Sequence, residues 1–455
     1  MRIQKGVNKV MYNLDDLTRP TSPIRSKPWP TYDNGNVFID NKEAEAATRV
    51  IGSKLLFRYD SRDLQESEVG RFESSLCRFF GVRHALAVSS GTAALALSFM
   101  ALGVGNGDEV LCSGFAFPAS PSSILLAGAR PVLVDVDENM HMDPCDLERK
   151  ITSRTKAILV VHMRGQCGDL RRLVNLASAR GLPLVEDAVP ILGAKLDGRY
   201  LGTFGALGAF STQSDKSLNT GEGGFILTNN TRLFERAVVL SGAYEGRLRK
   251  HCEWEPHTDE LELPLYNFRM DELRGAIASS QLAKLPHRLR VLKRNYSIIR
   301  DRLSRWDEVI LRQSHDSNAT LGDSIIFRLR DSDAVTARLF TDELCSEGIE
   351  ARCFGPLGRI NVRSYWNWKF MFPAMSTDQI RATLPRATYL LDRTVDIPLS
   401  PTLKAEDIED LICAFGKALN RIRRLRPRLT LDYEVAPLPS CESLDVRAAY
   451  TSPVD

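Results

Sequence analysis

The chain has 455 residues, of which 43% are hydrophobic and 26% charged, and its formal net charge is +3. A charge this small over this length gives no basis for nucleic-acid or membrane binding, and no apolar run approaches the ~18 residues that span a bilayer. The N-terminus lacks the apolar core of a signal peptide. The nine cysteines are scattered without a C-x-x-C pair, which predicts reduced structural thiols in a cytoplasmic protein without a metal site.

Residues 1–40 are rich in Pro, Asn, Asp and Arg and predict an extended N-terminal arm. Helical patterns follow at 42–54 and 66–80. From residue 84 short apolar runs alternate with helical patterns, which predicts a largely parallel sheet covered on both faces. The seven runs are 84–88, 109–112, 131–136, 157–161, 183–185, 206–210 and 224–227. We therefore expect one large α/β domain over residues 41–287.

The second half of the chain predicts a connector and a smaller domain. A helical region at 270–285 ends before Pro286, and a basic helical pattern follows at 288–305. The remaining periodic segments are strands at 324–328, 349–353 and 395–399 and helices at 332–347, 378–391 and 405–424. They predict a smaller α+β domain over residues 288–426, and the proline-containing segment 427–455 predicts an extended tail.

In sheets of this kind, ligands bind beyond the carboxyl ends of the strands. The expected strand ends place Ser89–Thr92, Phe115–Pro118, Asp187 and Ser211 along one rim. Glycine followed by threonine at the start of a helix makes either an anion site or a plain helix cap. Of the two phenylalanines in the second segment, either both belong to the core or one stacks on a flat ligand ring.

Asp187 ends a strand-like run at this rim. Such a carboxylate is either a helix cap or a buried group that keeps a heterocycle nitrogen protonated through a charge-assisted hydrogen bond. Lys216 lies in a polar loop, Phe210–Gly224, between two apolar runs. It is either a solvated surface charge or a Schiff-base lysine, which needs polar neighbours and close backbone approach through glycine.

Seven stretches, in order along the chain, resemble one known family. They are Ser-Ser-Gly-Thr-Ala-Ala-Leu (89–95), Val-Asp-Val-Asp (134–137), a segment from Asp-Pro to Lys-Ala-Ile (143–158), Val-His-Met-Arg-Gly (161–165), Glu-Asp-Ala (186–188), Phe-Ser-(x4)-Lys-(x4)-Gly-Glu-Gly-Gly (210–224) and Tyr-Asn-Phe-Arg-Met-Asp-Glu-Leu (266–273). Over about residues 55–420 the chain resembles the DegT-type sugar aminotransferases. These are enzymes of fold type I, the aspartate-aminotransferase superfamily, and use pyridoxal 5'-phosphate (PLP).

The resemblance implies a role for each matched residue. Lys216 corresponds to the lysine that forms the Schiff base and moves the proton during transfer, and Asp187 to the carboxylate that pairs with the pyridinium nitrogen. The other implied cofactor contacts are the phosphate-binding Gly91, Thr92 and Ser211, the ring-stacking Phe117, and Asn267, which in this family reaches the phosphate of the neighbouring subunit. A site completed by a second subunit implies a homodimer.

The sequence also departs from the family pattern. Val189-Pro190 stands where the family commonly has alanine followed by glutamine or histidine. Proline has no N–H and no polar side chain, so it cannot donate a hydrogen bond to the phenolic oxygen of the cofactor. That contact must come from another residue or be absent.

The leading functional hypothesis is amino transfer from glutamate or glutamine to a nucleotide-linked keto-sugar or a keto-cyclitol, in the biosynthesis of an amino sugar, surface polysaccharide or secondary metabolite. Two alternatives are left open. One is the branch of the same family that removes a sugar hydroxyl, against which Lys216 argues because that branch typically carries histidine there. The other is a non-catalytic regulatory protein on this fold, for which Pro190 is the only support.

Overall fold

The computed structural model describes residues 22–30, 35–61, 63–355 and 360–429. Most of the predicted arm, residues 1–21 and 31–34, and residues 430–455 of the predicted tail lie outside the described residues. Within the described part of the chain, none of the helices has both the length and the apolar character needed to cross a membrane.

The first part of the chain alternates helices and strands as predicted. In chain order the elements are α1 (Asn41–Ser53), α2 (Glu68–Phe80), β1 (His84–Val88), α3 (Gly91–Ala101), β2 (Glu109–Ser113), α4 (Ala119–Leu126), β3 (Arg130–Val134), α5 (Pro144–Lys150), β4 (Thr155–Val161), α6 (Leu170–Ala179), β5 (Leu184–Asp187), β6 (Lys195–Leu196), β7 (Arg199–Tyr200), β8 (Leu207–Ser211), β9 (Gly224–Thr228), α7 (Thr231–Gly242) and α8 (Glu272–Leu303). Strands β6 and β7 form a separate short hairpin.

The seven longer strands form one sheet in the order β1-β9-β8-β5-β4-β2-β3. Strand β9 runs antiparallel to both of its neighbours, and the remaining pairs are parallel. Helices cover both faces, so strands such as β1, β2 and β8 are buried along their whole length. The large, mostly parallel seven-stranded sheet expected from the sequence is thereby confirmed.

Helix α8 corrects the expectation of a break at Pro286. It is one helix of 32 residues with Pro286 inside it. Proline removes one main-chain hydrogen bond, but Leu285 and Arg288 on either side of it are completely buried, and this packing keeps the helix continuous. Because the helix passes through residue 287 without interruption, the domain boundary placed there stays a prediction.

A second, antiparallel sheet forms the core of the smaller domain. Its elements are β10 (Val309–Leu311), β11 (Ser324–Leu329), α9 (Ala334–Ser346), β12 (Arg352–Cys353), α10 (Thr377–Ala382), α11 (Pro385–Arg393), β13 (Thr394–Pro398) and α12 (Ala405–Leu429). The strand order is β10-β11-β13-β12. Strand β10 was not predicted, and the single helix expected at 378–391 is two helices because Pro385 begins a new one.

Candidate active site

A cavity of about 310 Å³ lies at the carboxyl ends of the parallel strands. Leu321, Asp323 and Arg363 from the smaller domain close one side of it. Six of the seven residues that the sequence singled out line the cavity: Gly91, Thr92, Phe117, Asp187, Ser211 and Lys216. Asn267 is exposed and is not among the lining residues of the described chain. The cavity thus brings together residues from several segments that are far apart in the sequence.

Helix α3 begins at Gly91 and points its first turn into the cavity. The Ser90 hydroxyl accepts a hydrogen bond of 3.0 Å from the amide of Ala93 and caps the helix. A Cβ atom on Gly91 would lie only 2.8 Å from the Cβ of Ser211, so the glycine lets the end of β8 approach the helix start. First-turn amides have no acceptor within their helix, and together with the Ser211 hydroxyl they suit a phosphate group.

Asp187 is the last residue of β5 and is 5% exposed. The Ser120 hydroxyl donates to one carboxylate oxygen at 2.7 Å, and the amide of Val189 donates to the other at 3.3 Å. Burial raises the pKa of Asp187, and the Ser120 hydrogen bond opposes this shift. In the described chain both hydrogen-bond donors to the carboxylate are neutral, so a cationic ligand such as a protonated heterocycle would stabilise its charge. Ser120 was missed because nothing in its local sequence connects it with β5.

The neighbouring Glu186 has a structural role. Its buried carboxylate accepts hydrogen bonds from the amides of Gly202, Phe204 and Gly205 at 2.6–2.8 Å and contacts the His162 ring at 3.0 Å. Burial by itself would lower the pKa of His162, but Cys167 and Glu186 outweigh it and raise the pKa to about 10. Successive side chains of a strand point to opposite faces, so Glu186 holds the 202–205 turn while Asp187 faces the cavity.

Lys216 lies in the loop between β8 and β9, and its Nζ is 3.1 Å from the Asp215 carboxylate. Main-chain hydrogen bonds cross the loop from Thr212 to Gly223 and from Ser214 to Gly221, at 2.9 and 3.0 Å. The side chain is 27% exposed and lines the cavity. Lys216 is therefore held in a braced loop at the cavity and is not a fully solvated surface charge.

Helix α8 contacts the loop between β8 and β9 that carries Lys216, here called the lysine loop. The buried guanidinium of Arg288 donates to the main-chain oxygen of Ser217 and, at 2.9 Å, to the side chain of Gln281. Burial lowers the pKa of Arg288 to about 10. The sequence reading missed this contact because it joins residues 71 positions apart and the arginine looked like one of many basic residues on a helix.

The two phenylalanines after β2 have different positions. Phe115 is completely buried in the core, whereas Phe117 is 47% exposed and lines the cavity. The guanidinium of Arg363 lies 5.9 Å from the ring centroid of Phe117. Phe117 thus offers an aromatic face to a ligand in the cavity.

Pro190 also lines the cavity, in a single 3-10 turn at Val189–Ile191. Neither it nor Val189 has a side-chain donor at this wall, as the sequence predicts. Two charged residues, Arg164 and Asp323, also line the cavity. Gly165, which follows Arg164, lies beside both Pro190 and Asp323. Arg164 appeared in the sequence only as one letter of a motif, and Asp323 belongs to the smaller domain, where no motif indicated a site.

Comparison with known proteins agrees with the resemblance in the sequence. GDP-perosamine synthase of Escherichia coli O157:H7 is 37% identical over 215 residues, which is 47% of this chain and 57% of that protein, so this match spans just over half of the relative. L-glutamine:2-deoxy-scyllo-inosose aminotransferase of Streptomyces lividus is 31% identical over 88% of this chain and 96% of its own length.

Among solved structures, the E. coli GDP-4-keto-6-deoxy-D-mannose-3-dehydratase with bound hydrated PLP superimposes with a TM-score of 0.70 over 85% of this chain and 99% of its own. At 23% identity this likeness shows the fold. The family model described as "DegT/DnrJ/EryC1/StrS aminotransferase family" matches residues 39–415. The chain therefore belongs to the DegT/DnrJ/EryC1/StrS aminotransferase family.

Proposed function

We propose that the protein is a PLP-dependent aminotransferase that moves an amino group from glutamate or glutamine to a keto-sugar, nucleotide-linked or not, or to a keto-cyclitol. The observation that carries the proposal is one cavity in which the amine of Lys216 and the buried carboxylate of Asp187 face a helix N-terminus suited to phosphate. The chain belongs to a family of aminotransferases. One relative is named as a synthase of GDP-perosamine, and another as an aminotransferase that uses L-glutamine and 2-deoxy-scyllo-inosose.

The donor set of the cavity fits PLP in three places. The first turn of α3 and Ser211 would hold the phosphate, Phe117 would cover one face of the ring, and Asp187 would pair with the protonated ring nitrogen. The distinctive feature is the wall at Val189-Pro190, which offers no side-chain donor to the ring. The fit therefore depends on the phosphate and nitrogen anchors more than on contacts to the ring edge.

Bound PLP supplies an electron sink for the bonds of the substrate carbon that carries the nitrogen. Lys216 is the only lysine among the lining residues of the described chain. Its Nζ would hold the cofactor and would serve as the acid and base that moves the proton at that carbon. Asp187 keeps its negative charge beside the ring, and the crossing hydrogen bonds of the lysine loop keep Nζ within reach.

Amino transfer has two half-reactions, in which the donor first gives its amino group to the cofactor and the acceptor then takes it. The two can be observed separately. We expect the purified protein to show a visible absorption band after addition of PLP, since a cofactor joined to lysine absorbs there. Glutamate or glutamine should bleach the band by converting the cofactor to its amine form, and a suitable acceptor should restore it. The acceptors to compare are 2-deoxy-scyllo-inosose and UDP- or GDP-linked keto-sugars. A protein that stays colourless with PLP would contradict the proposal.

We further propose a homodimer whose cavities are completed by Asn267 of the second subunit. Asn267 is exposed and lies outside the cavity of its own chain. Near it in the sequence, Leu261, Leu265 and Tyr266 are 93%, 50% and 39% exposed, and a second copy would cover these apolar side chains. The cytoplasm is the expected location, because the scattered cysteines of the sequence would stay reduced there.

Mixed dimers test the shared site. Asn267→Ala should lower PLP affinity by about 10-fold, the effect of losing one hydrogen bond to a charged group, whereas Asn318→Ala on another exposed loop should not. When Asn267→Ala and Lys216→Ala chains are combined in equal amounts, one of the two sites in each mixed dimer is intact. At a PLP concentration low enough that Asn267→Ala alone has little activity, the mixture should return to about one quarter of wild type. Activity of the mixture no higher than the average of the two variants measured alone would show that Asn267 acts within its own chain.

A further inference from the structure

Arg164 and Asp323 form one wall of the cavity although they come from different domains. Arg164 lies in the turn after β4 and Asp323 immediately before β11, and both are 4% exposed. The amide of Leu321 donates to the oxygen of Gly165 at 2.8 Å, and Gln166 and Thr320 form a β-bridge. These main-chain contacts fix the two charged side chains relative to each other before any ligand binds.

The main chain at this wall has an unusual conformation. Arg164 has φ 55° and ψ 41°, a left-handed conformation that is unfavourable for a non-glycine residue. Gly165 follows with φ 69°, and a Cβ atom there would lie 2.7 Å from Oδ1 of Asp323. The turn therefore turns the arginine toward the cavity and leaves room beside Gly165 for the carboxylate.

Asp396 of β13 anchors the arginine. A terminal nitrogen of Arg164 donates to Oδ1 of Asp396 at 2.7 Å, and the Asp396 residue is 1% exposed. A guanidinium has five N–H donors in one plane, so it can serve a protein carboxylate and a ligand at the same time. The buried ion pair sets the plane of the guanidinium, which is the kind of support that binding residues need.

We propose that Arg164 and Asp323 bind neighbouring hydroxyl groups of the amino acceptor, so that the part of the acceptor at this wall is an uncharged polyhydroxylated ring. A guanidinium only donates hydrogen bonds and a carboxylate only accepts them, whereas each hydroxyl does both. Two adjacent hydroxyls therefore match this pair. A carboxylate ligand would be repelled by Asp323, and an ammonium ligand by Arg164.

This assignment rests on the proposed function, because it takes the cofactor to occupy the part of the cavity that is lined by Gly91, Phe117, Asp187 and Lys216. The region between Pro190 and Asp323 is then the part of the cavity that remains for the acceptor. It also contains Pro190, at which the sequence departs from the family pattern. A difference in the acceptor that this protein binds is therefore expected in this region.

The test compares Asp323→Asn and Arg164→Lys with wild type. Asparagine keeps the size of Asp323 but replaces one accepting oxygen with a donor, and lysine keeps the charge beside Asp396. The acceptors to compare are 2-deoxy-scyllo-inosose, scyllo-inosose, which has one more hydroxyl, and a UDP-linked keto-sugar. For the acceptor that wild type uses best, we expect kcat/KM to fall by about 10- to 100-fold in each variant. The loss should appear mainly in KM. The ratio of activities toward the two inososes should also change.

The rate at which glutamate or glutamine bleaches the visible band should stay within about twofold in both variants, and so should the melting temperature within a few degrees. Glu222→Gln is the matched control, since Glu222 is another carboxylate that lines the cavity but belongs to the lysine loop, and it should leave the ratio between acceptors unchanged. Binding of scyllo-inositol, an unreactive ring, can be followed by saturation-transfer NMR and should weaken only in the Arg164 and Asp323 variants.

If Asp323→Asn has the same acceptor KM as wild type and binds scyllo-inositol equally well, this inference is overturned, while the aminotransferase proposal stands. Efficient transfer to simple 2-oxo acids, with none to any polyhydroxylated ring, would overturn it in the same way. A wild-type protein that forms no visible band with PLP would overturn the proposed function, and this inference with it.

Discussion

Lys216→Ala should lower amino transfer by at least about 10⁴-fold and remove the visible band formed with PLP. The lysine has two roles in the proposed reaction, attachment of the cofactor and proton transfer, and positioned acid–base groups alone contribute about 10²- to 10⁴-fold. Its Nζ is fixed in a loop that is braced by main-chain hydrogen bonds and by Arg288. In the described chain no other lysine lines the cavity, so no neighbour can replace it.

The measurement is steady-state transfer together with an absorption spectrum in the presence of PLP. Lys156→Ala, at the one exposed position of β4, is the matched control and should behave as wild type. Because the alanine variant keeps the phosphate and nitrogen anchors, it should still bind PLP, and small amines such as methylamine should restore part of the proton transfer. A variant that keeps both the visible band and near-normal turnover would remove Lys216 from the assigned role.

The same residue separates the aminotransferase proposal from the deoxygenation of a sugar. A lysine amine can attach the cofactor and take the proton back to the product, whereas the branch that removes a hydroxyl typically carries histidine at this place. The wild-type protein should therefore release an amino product that contains nitrogen from the donor. Release of a deoxygenated sugar, without incorporation of donor nitrogen, would favour the other branch.

The sheet could be predicted from the sequence because its strands are short apolar runs with helical patterns between most of them. Strand direction and helix starts then locate the carboxyl-end rim, and for this reason Gly91, Asp187 and Ser211 could be placed together. Alternation along β5 could not by itself decide whether Glu186 or Asp187 faces the cavity. The resemblance to the family assigned the cofactor role to Asp187, and the contacts of Glu186 with the 202–205 turn account for the other carboxylate.

Contacts between distant segments could not be predicted. Ser120 reaches Asp187 across 67 positions, and Arg164 reaches Asp396 across 232. Such pairs depend on how distant elements pack against one another, which local periodicity does not encode. The break expected at Pro286 failed for a similar reason, since burial of Leu285 and Arg288 outweighs the local preference of proline. What the sequence misses at the site is therefore the set of contacts between elements that are far apart in the chain.

Asp187→Ala should weaken PLP binding by about 10- to 100-fold and lower turnover by about 10²- to 10³-fold. The first effect is the loss of a charge-assisted hydrogen bond, and the second is the loss of a charge that stabilises the electron-poor ring during proton transfer. PLP affinity is measured by titration of the visible band, and turnover at saturating PLP separates poor binding from poor chemistry. Near-normal turnover at saturating PLP would refute the role.

Ser120→Ala provides a graded comparison at the same carboxylate. It removes the 2.7 Å hydrogen bond to Asp187 but leaves the charge in place, so it should cost only about 3- to 10-fold in turnover. That hydrogen bond lowers the pKa of Asp187, while burial raises it, and without the hydroxyl the carboxylate should take up a proton more readily. Turnover of Ser120→Ala should consequently begin to fall at a higher pH than that of wild type as the solution is acidified. Identical acid limbs in the two pH profiles would show that the charge of Asp187 does not limit the reaction.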